Sequence, residues 1–300
     1  SKIQLDAGIA QKVGSPVVLP FVKGLALAEA KLSIGFGETE NGAWDIRFTA
    51  SDLASETLSA AMLSGQLSGT SNNVYDVDLR NLAGVMHLSA QGLSSTDADV
   101  AQAIGPSITA DADFDWTVNM PFVLRSVQIS GDKADIRASG RFTGLEFDGE
   151  ITGKIAELAF LTPFAGRPLS GGVIFQSIGK LALLGGVIDT ELSGTGQYLS
   201  VGEARIDCLL GGSSQFTAGL KRNDTGIILR DVALRSETAK IDLNATMNSQ
   251  TLDANGSAEL ADLSPLVEGL SGPGQVEFLA NGPINAPAIR AALSTTSGTF

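Results

Sequence analysis

Only two side chains in this sequence belong to the types that usually do chemistry on their own, His87 in "AGVMHLSA" and Cys208 in "ARIDCLL". A zinc site needs three or four nitrogen, sulfur or carboxylate ligands at fixed spacing, and one His with one distant Cys supplies no such set. A Ser-His-acid relay through His87 would need a G-x-S-x-G turn to present the serine, and the chain contains none. His87 reads instead as a strand residue at an edge. Cys208 alternates with Ala204 and Ile206, which predicts a buried structural thiol on a strand, and a single Cys forms no internal disulfide. That usage fits the cytosol and equally a bridge-free envelope protein.

Carboxylates are the next candidates. Asp111, Asp113 and Asp115 in "ADADFDWTVNM" could bind Ca²⁺, but no EF-hand loop is present and a spacing of two sets them in line on one strand face. A two-acid glycosidase has carboxylates enough to draw on, yet most alternate with apolar residues and read as a solvated face. The glycines at 185–186, 194–196 and 211–212 lack both G-x-G-x-x-G and a phosphate-loop lysine. No catalytic residue, metal or cofactor follows, and the chain reads as a non-enzyme.

The elements that carry these residues are strands. In "ADADFDWTVNM", Ala112, Phe114, Trp116, Val118 and Met120 fall on one side and Asp, Thr and Asn on the other. The pattern recurs at Trp44/Ile46/Phe48/Ala50, Tyr75/Val77/Leu79, Ala134/Ile136/Ala138, Phe216/Ala218/Leu220 and Ile241/Leu243/Ala245/Met247. Turn signals separate the runs: "SGDK" (130–133), "FDGE" (147–150), "RNDTG" (222–226) and "MNSQT" (247–251), with "GETENG" (37–42) a further acidic turn. Many short strands with tight antiparallel connections are expected. Helical text is scarce: 51–65, 94–106, and short turns at "LTPF" and "LSPL", where Ser or Thr before Pro predicts an N-cap.

A phrase is written twice. "IAELAFLTPFAGRPLSG" (155–171) returns as "SAELADLSPLVEGLSG" (257–272), which places Ala156 and Ala258 102 residues apart (258 − 156) and predicts a module joint between strands. Approximate modules are 1–105, 106–171 and 172–300.

Composition removes several function classes. The chain is 43% hydrophobic with 35 Gly, so it can bury a large apolar surface. Its formal charge of −13 leaves no cationic track for nucleic acid or anionic headgroups. Thirteen Phe against two Trp and two Tyr point to apolar contact area rather than polar-handled stacking platforms. The longest apolar stretch, "LALLGGVI" (181–188), is too short to span a bilayer as a helix. The opening "SKIQLDAG" and closing "TTSGTF" both read as mid-strand text, which predicts a fragment of a longer protein.

The stretches "VAQAIGPSITADADFDW…VQISGDKADIRASGRF…GEITGKIAELAFLTPFAGRPLSG" (100–171) and "GSAELADLSPLVEGLSGPGQVEFLANGPINAPAI" (256–289) carry a resemblance. They resemble the TamB-like translocation and assembly module proteins of the AsmA-like, repeating β-groove superfamily, in their alphaproteobacterial form. The likeness covers most of residues 70–290 and rests on texture and repeat phrase, with no catalytic signature. It implies an elongated, curled antiparallel sheet forming a taco-like groove with an apolar interior. It also implies the periplasmic part of an inner-membrane-anchored protein of a Gram-negative bacterium. There it would shield phospholipid acyl chains between the membranes and assist outer-membrane protein assembly with a barrel partner of the TamA type. The candidate groove-lining residues are Phe114, Trp116, Val118, Phe142, Phe147, Phe216, Ile241 and Leu243, the alternative for each being a core sealed between two sheets. Two other readings compete: an extracellular structural β-solenoid or adhesin passenger, and a polysaccharide-active β enzyme with an acid pair in a Trp- or Tyr-lined cleft.

Overall fold

The computed structural model describes residues 2–11, 17–18, 25–37, 42–73, 76, 78–182, 186–264 and 269–295. The described residues are mostly strand with three short α-helices, and the chain divides into two compact units, Ser1–Gly144 and Leu145–Phe300. The first holds β1 (Lys2–Ala10), β2 (Val17–Val18), β3 (Ala26–Leu27), β4 (Glu29–Gly37), β5 (Ala43–Ala54), β6 (Leu58–Asn72), β7 (Asn81–Gln91) and β8 (Ser94–Ser95). It continues with α1 (Ala98–Ile104), β9 (Ser107–Thr117), β10 (Phe122–Gly131) and β11 (Ala134–Thr143). The second opens with β12 (Glu146–Ile155), a 3-10 turn (Leu158–Leu161), α2 (Thr162–Ala165), β13 (Ser170–Ala182), β14 (Ile188–Ser200) and α3 (Ala204–Leu210). It ends with β15 (Ser213–Asn223), β16 (Gly226–Ser236), β17 (Ala239–Met247), β18 (Thr251–Leu260), β19 (Gly274–Pro283) and β20 (Ala288–Thr295).

Each unit is an open antiparallel sheet rather than a barrel. In the first, the long strands lie in the order β1-β4-β5-β6-β7-β9-β10-β11, with β3 beside β5 and β8 beside β6. In the second, β12 to β20 pair in sequence order. Strands that pair with their neighbours need only tight turns, and the Asn residues of the predicted turns make them. Asn223 Oδ1 accepts the Thr225 N–H at 2.9 Å, and Asn248 Oδ1 accepts those of Gln250 and Thr251 at 2.8 and 2.7 Å. Such antiparallel pairing differs from the stacked parallel coils of a β-solenoid.

Phase resets hide inside the alternation, one in β14 between Gln197 and Ser200 and two that recur at a fixed interval. "LRSV" (124–127) and "LRDV" (229–232) each hold a β-bulge, so Leu124 and Val127 share a face, as do Leu229 and Val232. The two bulge arginines lie 105 residues apart (230 − 125). Glu157 and Asp262, which close equivalent loops, are also 105 apart (262 − 157), so the repeat spans six strands. The repeated phrase therefore aligns differently from its letters. Ile155-Ala156-Glu157-Leu158 matches Leu260-Ala261-Asp262-Leu263, because both begin where a strand ends.

Other expectations need correction. Residues 51–54 and 58–65 are strand, with 55–57 the turn between β5 and β6, and not helix: Leu63 pairs with Ala50 and Ala90, and these cross-strand partners outweigh a spacing compatible with either period. "FDGE" (147–150) lies within β12, since Asp148 and Glu150 are polar-face strand residues; the turn falls at Gly144, whose φ of 60° suits it. Of the 94–106 expectation, Ala98–Ile104 holds as α1 with Asp97 as N-cap, while Ser94 and Ser95 pair with β6 as strand. In "LTPF" Thr162 does not cap α2; its Oγ1 accepts the Leu169 N–H at 3.0 Å. Tyr75, Val77, the "GETENG" residues 38–41, residues 183–185 of "LALLGGVI" and the last two residues of "LSPL" lie outside the described residues.

Candidate functional site: an apolar face on each sheet

Residues paired across an antiparallel ladder share a face, so the registers can be read as rows. In the first unit one row runs Leu5, Ile34, Ile46, Leu67, Met86, Ala112, Val127, Ala138, apolar on every strand. The next row, on the opposite face, runs Asp6, Ser33, Arg47, Gln66, His87, Asp111, Gln128, Arg137, all polar. In the second unit a row runs Gly153, Phe175, Gly194, Phe216, Leu234, Ile241, Ala258, Val276, Leu293. Most of these side chains are half-buried. Ile129 and Leu293 on the apolar faces remain 40% and 42% exposed.

The candidate residues group by unit. Phe114 stacks on Phe122 with ring centroids 5.6 Å apart, and Phe122 meets Phe142 at 6.2 Å. Phe122, which the alternation did not single out, thus joins two candidates. Trp116 pairs with Leu82 on the same face as Phe114. Val118 follows the last residue of β9, and its N–H donates to the Arg80 carbonyl at 3.0 Å. In the second unit Phe216 and Ile241 share the row above, Leu243 pairs with Val232, and Phe147 pairs with Leu181 and is buried.

Aromatic rings on this face lie over glycines of the adjacent strand, which sequence reading missed. A β-carbon on Gly256 would stand 2.6 Å from Phe278 Cζ, and one on Gly69 would stand 2.7 Å from Trp44 Cζ2. Phe48 over Gly65 and Phe175 over Gly153 repeat the arrangement. The signal was present as a Gly and an aromatic at matching register, but register is a tertiary quantity. Among the described residues three buried side-chain polar atoms have no hydrogen-bond partner: Trp44 Nε1, Arg80 Nε and Ser214 Oγ.

Within the second sheet the two rims formed by the strand ends differ. One carries short hairpins at Asn223–Gly226 and Met247–Thr251. The other carries the 3-10 turn with α2, then α3, then the link from β18 to β19. At this second rim Ala239, Leu260 and Leu263 form a buried cluster, with Leu209 of α3 and Leu270 packed against it. Hydroxyls and carboxylates fasten these connections. Ser236 Oγ donates to the Leu209 carbonyl at 2.6 Å and Thr238 Oγ1 to that of Cys208 at 2.7 Å. Glu157 Oε1 accepts the Gly171 N–H at 2.9 Å, and Asp262 Oδ1 accepts the Gly272 N–H at 2.8 Å. The Ser264 hydroxyl, with the N–H groups of Ser264 and Gly272, holds the Asp262 carboxyl below its ordinary range. Asp207 is lowered likewise, first by the Val201 N–H and then by the Ser200 hydroxyl.

The polar faces hold the residues first considered for chemistry. His87 Nδ1 lies 2.6 Å from Asp111 Oδ1, but β7 sits between β6 and β9, so His87 is not on an edge strand. Asp113 and Asp115 clamp Arg125 at 3.3 and 3.0 Å, while Arg230 bridges Asp189 and Glu191 at 3.0 Å each. Lys221, then Arg230, lower the Asp189 carboxyl. Cys208 is on α3 rather than a strand, and its Sγ donates to the Arg205 carbonyl at 3.0 Å. The apparent alternation there failed because Leu209 packs inward from a helix. Among the described residues no cluster of three His, Cys, Asp or Glu is placed to hold a metal.

No family model matches the chain, and neither a curated protein nor a solved structure does.

Proposed function

We propose that this chain is a segment of a periplasm-spanning β-groove that shields phospholipid acyl chains as they pass between the inner and outer membranes. It works by passive cover, without catalysis, in the manner of the TamB-like proteins it resembles. Under the same reading it assists outer-membrane protein assembly with a barrel partner of the TamA type, engaged through other parts of the protein.

The observation that carries this reading is the unbroken apolar row from Gly153 to Leu293 on a sheet whose other face is dominated by charged and polar side chains. At about 4.8 Å per strand the row runs on the order of 40 Å. That exceeds the ~15 Å of one leaflet's acyl chains, half the hydrocarbon core. Each exposed methylene costs about 0.8 kcal/mol, so a bare chain in water faces a barrier of order 10 kcal/mol. A strip of Phe, Leu, Ile and Val lowers it, and needs no metal, nucleophile or cofactor to do so.

The test is lipid mass spectrometry on the chain purified without detergent from a bacterial periplasm, beside an unrelated acidic β-protein. Phospholipid retained in a reproducible molar ratio is the expected result. A lipid-free, monodisperse protein would overturn the reading.

A further inference from the structure

The two rims of the second sheet are built differently, and the difference bears on how an apolar occupant reaches the face. On the hairpin rim between β15 and β18, Ile227, Met247 and Leu252 end the apolar face half-buried, and the four-residue stretch Asn223–Gly226 turns back directly. On the helix-bearing rim the face ends under side chains sent back over it. Leu263 is fully buried, Leu260 and Ala239 are 4% exposed, and Leu209 of α3 packs against the cluster they form.

That covering is fastened rather than draped. The β16–β17 turn supplies two hydroxyls to the last carbonyls of α3, from Ser236 and Thr238. Asp207 ties the start of the same helix to Val201 N and Ser200 Oγ at 2.7 and 2.8 Å. The construction belongs to the repeat. α1 precedes β9 as α3 precedes β15, six strands later, and the Glu157 and Asp262 loops follow at the same interval.

We infer that the helix-bearing rim is the closed side of the groove and that acyl chains load laterally across the hairpin rim. This rests on the acyl-chain reading above. Displacing Leu209 and Leu263 would break both the apolar cluster and its polar fastenings, whereas crossing the hairpin rim breaks neither.

Blocking one rim at a time tests it. In a Cys208→Ser background, single cysteines replace the exposed Asp224 or Gln250 on the hairpin rim, or the exposed Glu203 or Glu237 on the helix-bearing rim. Each is coupled to a maleimide polyethylene glycol and checked for unchanged far-UV circular dichroism. Loading is followed as transfer of an NBD-acyl phospholipid from phosphatidylethanolamine–phosphatidylglycerol liposomes. Labels at Asp224→Cys and Gln250→Cys should slow loading about tenfold, and labels at Glu203→Cys and Glu237→Cys should leave it within about twofold. Equal slowing from both rims, or slowing only from the helix-bearing rim, overturns the lateral route and leaves acyl-chain binding standing. Failure of the unlabelled chain to take up lipid overturns both.

Discussion

Phe175 on β13 holds its ring in the space where a β-carbon of Gly153, its register partner on β12, would stand. The glycine is required by the ring, and the ring fills the gap the glycine leaves in the apolar row. Gly153→Val should destabilise by about 1–3 kcal/mol in urea unfolding, as overpacking does. Adding Phe175→Ala should recover part of that loss, because the two positions share one space and their effects do not add. Additive losses would mean the ring and the glycine are independent.

A charge on the apolar face should act on lipid before it acts on the fold. Phe114→Asp and Phe216→Asp are expected to keep the far-UV circular dichroism of the parent chain and to lower retained phospholipid about tenfold or more. Thr217→Asp, one residue along and on the opposite face, is the control and should retain lipid as the parent does. Global unfolding of both Phe variants would place these rings in a sealed interior.

The hydroxyl of Ser236 fastens α3 by its bond to Leu209 O and also accepts the Ala239 N–H at 3.0 Å. Ser236→Ala should cost about 1–2 kcal/mol, the scale of a part-buried hydrogen bond with an unsatisfied partner left behind. Hydrogen exchange should rise in residues 204–210 and stay unchanged in β12 to β14.

Acid should loosen the helix-bearing rim through Asp262 and Asp207, whose folded carboxyls lie below their ordinary range. Above that range both are ionised in the folded and unfolded chains, and the stabilisation is complete. As pH falls through the ordinary carboxylate range the unfolded chain takes up protons first, and the stabilisation declines until the folded-state value is passed. The urea midpoints of the parent and Asp262→Asn should therefore differ at neutral pH and converge in acid. A difference that persists unchanged into acid would mean that Asp262 acts by shape and not by charge.

What could be read from residue order was what depends on near neighbours. A spacing of two between apolar residues dictates strands with one wet and one dry face, because side chains alternate across a strand. Asn and Gly between the runs dictate short turns, and the lack of spaced His and Cys ligands was visible by inspection. The Asp97 cap of α1 was equally local.

Cross-strand relations were decided only in three dimensions. The bulges at Leu124–Val127 and Leu229–Val232 reset the phase, and a bulge is defined by the partner strand it slips against. Letter matching put the repeat at 102 residues, because Ala-Glu-Leu-Ala recurs at that spacing. The 105-residue interval emerges from Arg125 and Arg230, and from Glu157 and Asp262, which do the same work at the same strand ends. Cys208 read as strand because a seven-residue stretch suits either period until Leu209 finds a core to pack on. Alternation along one chain says which faces exist; hydrogen-bonded register between strands decides which rings meet which glycines, and so which face becomes continuous.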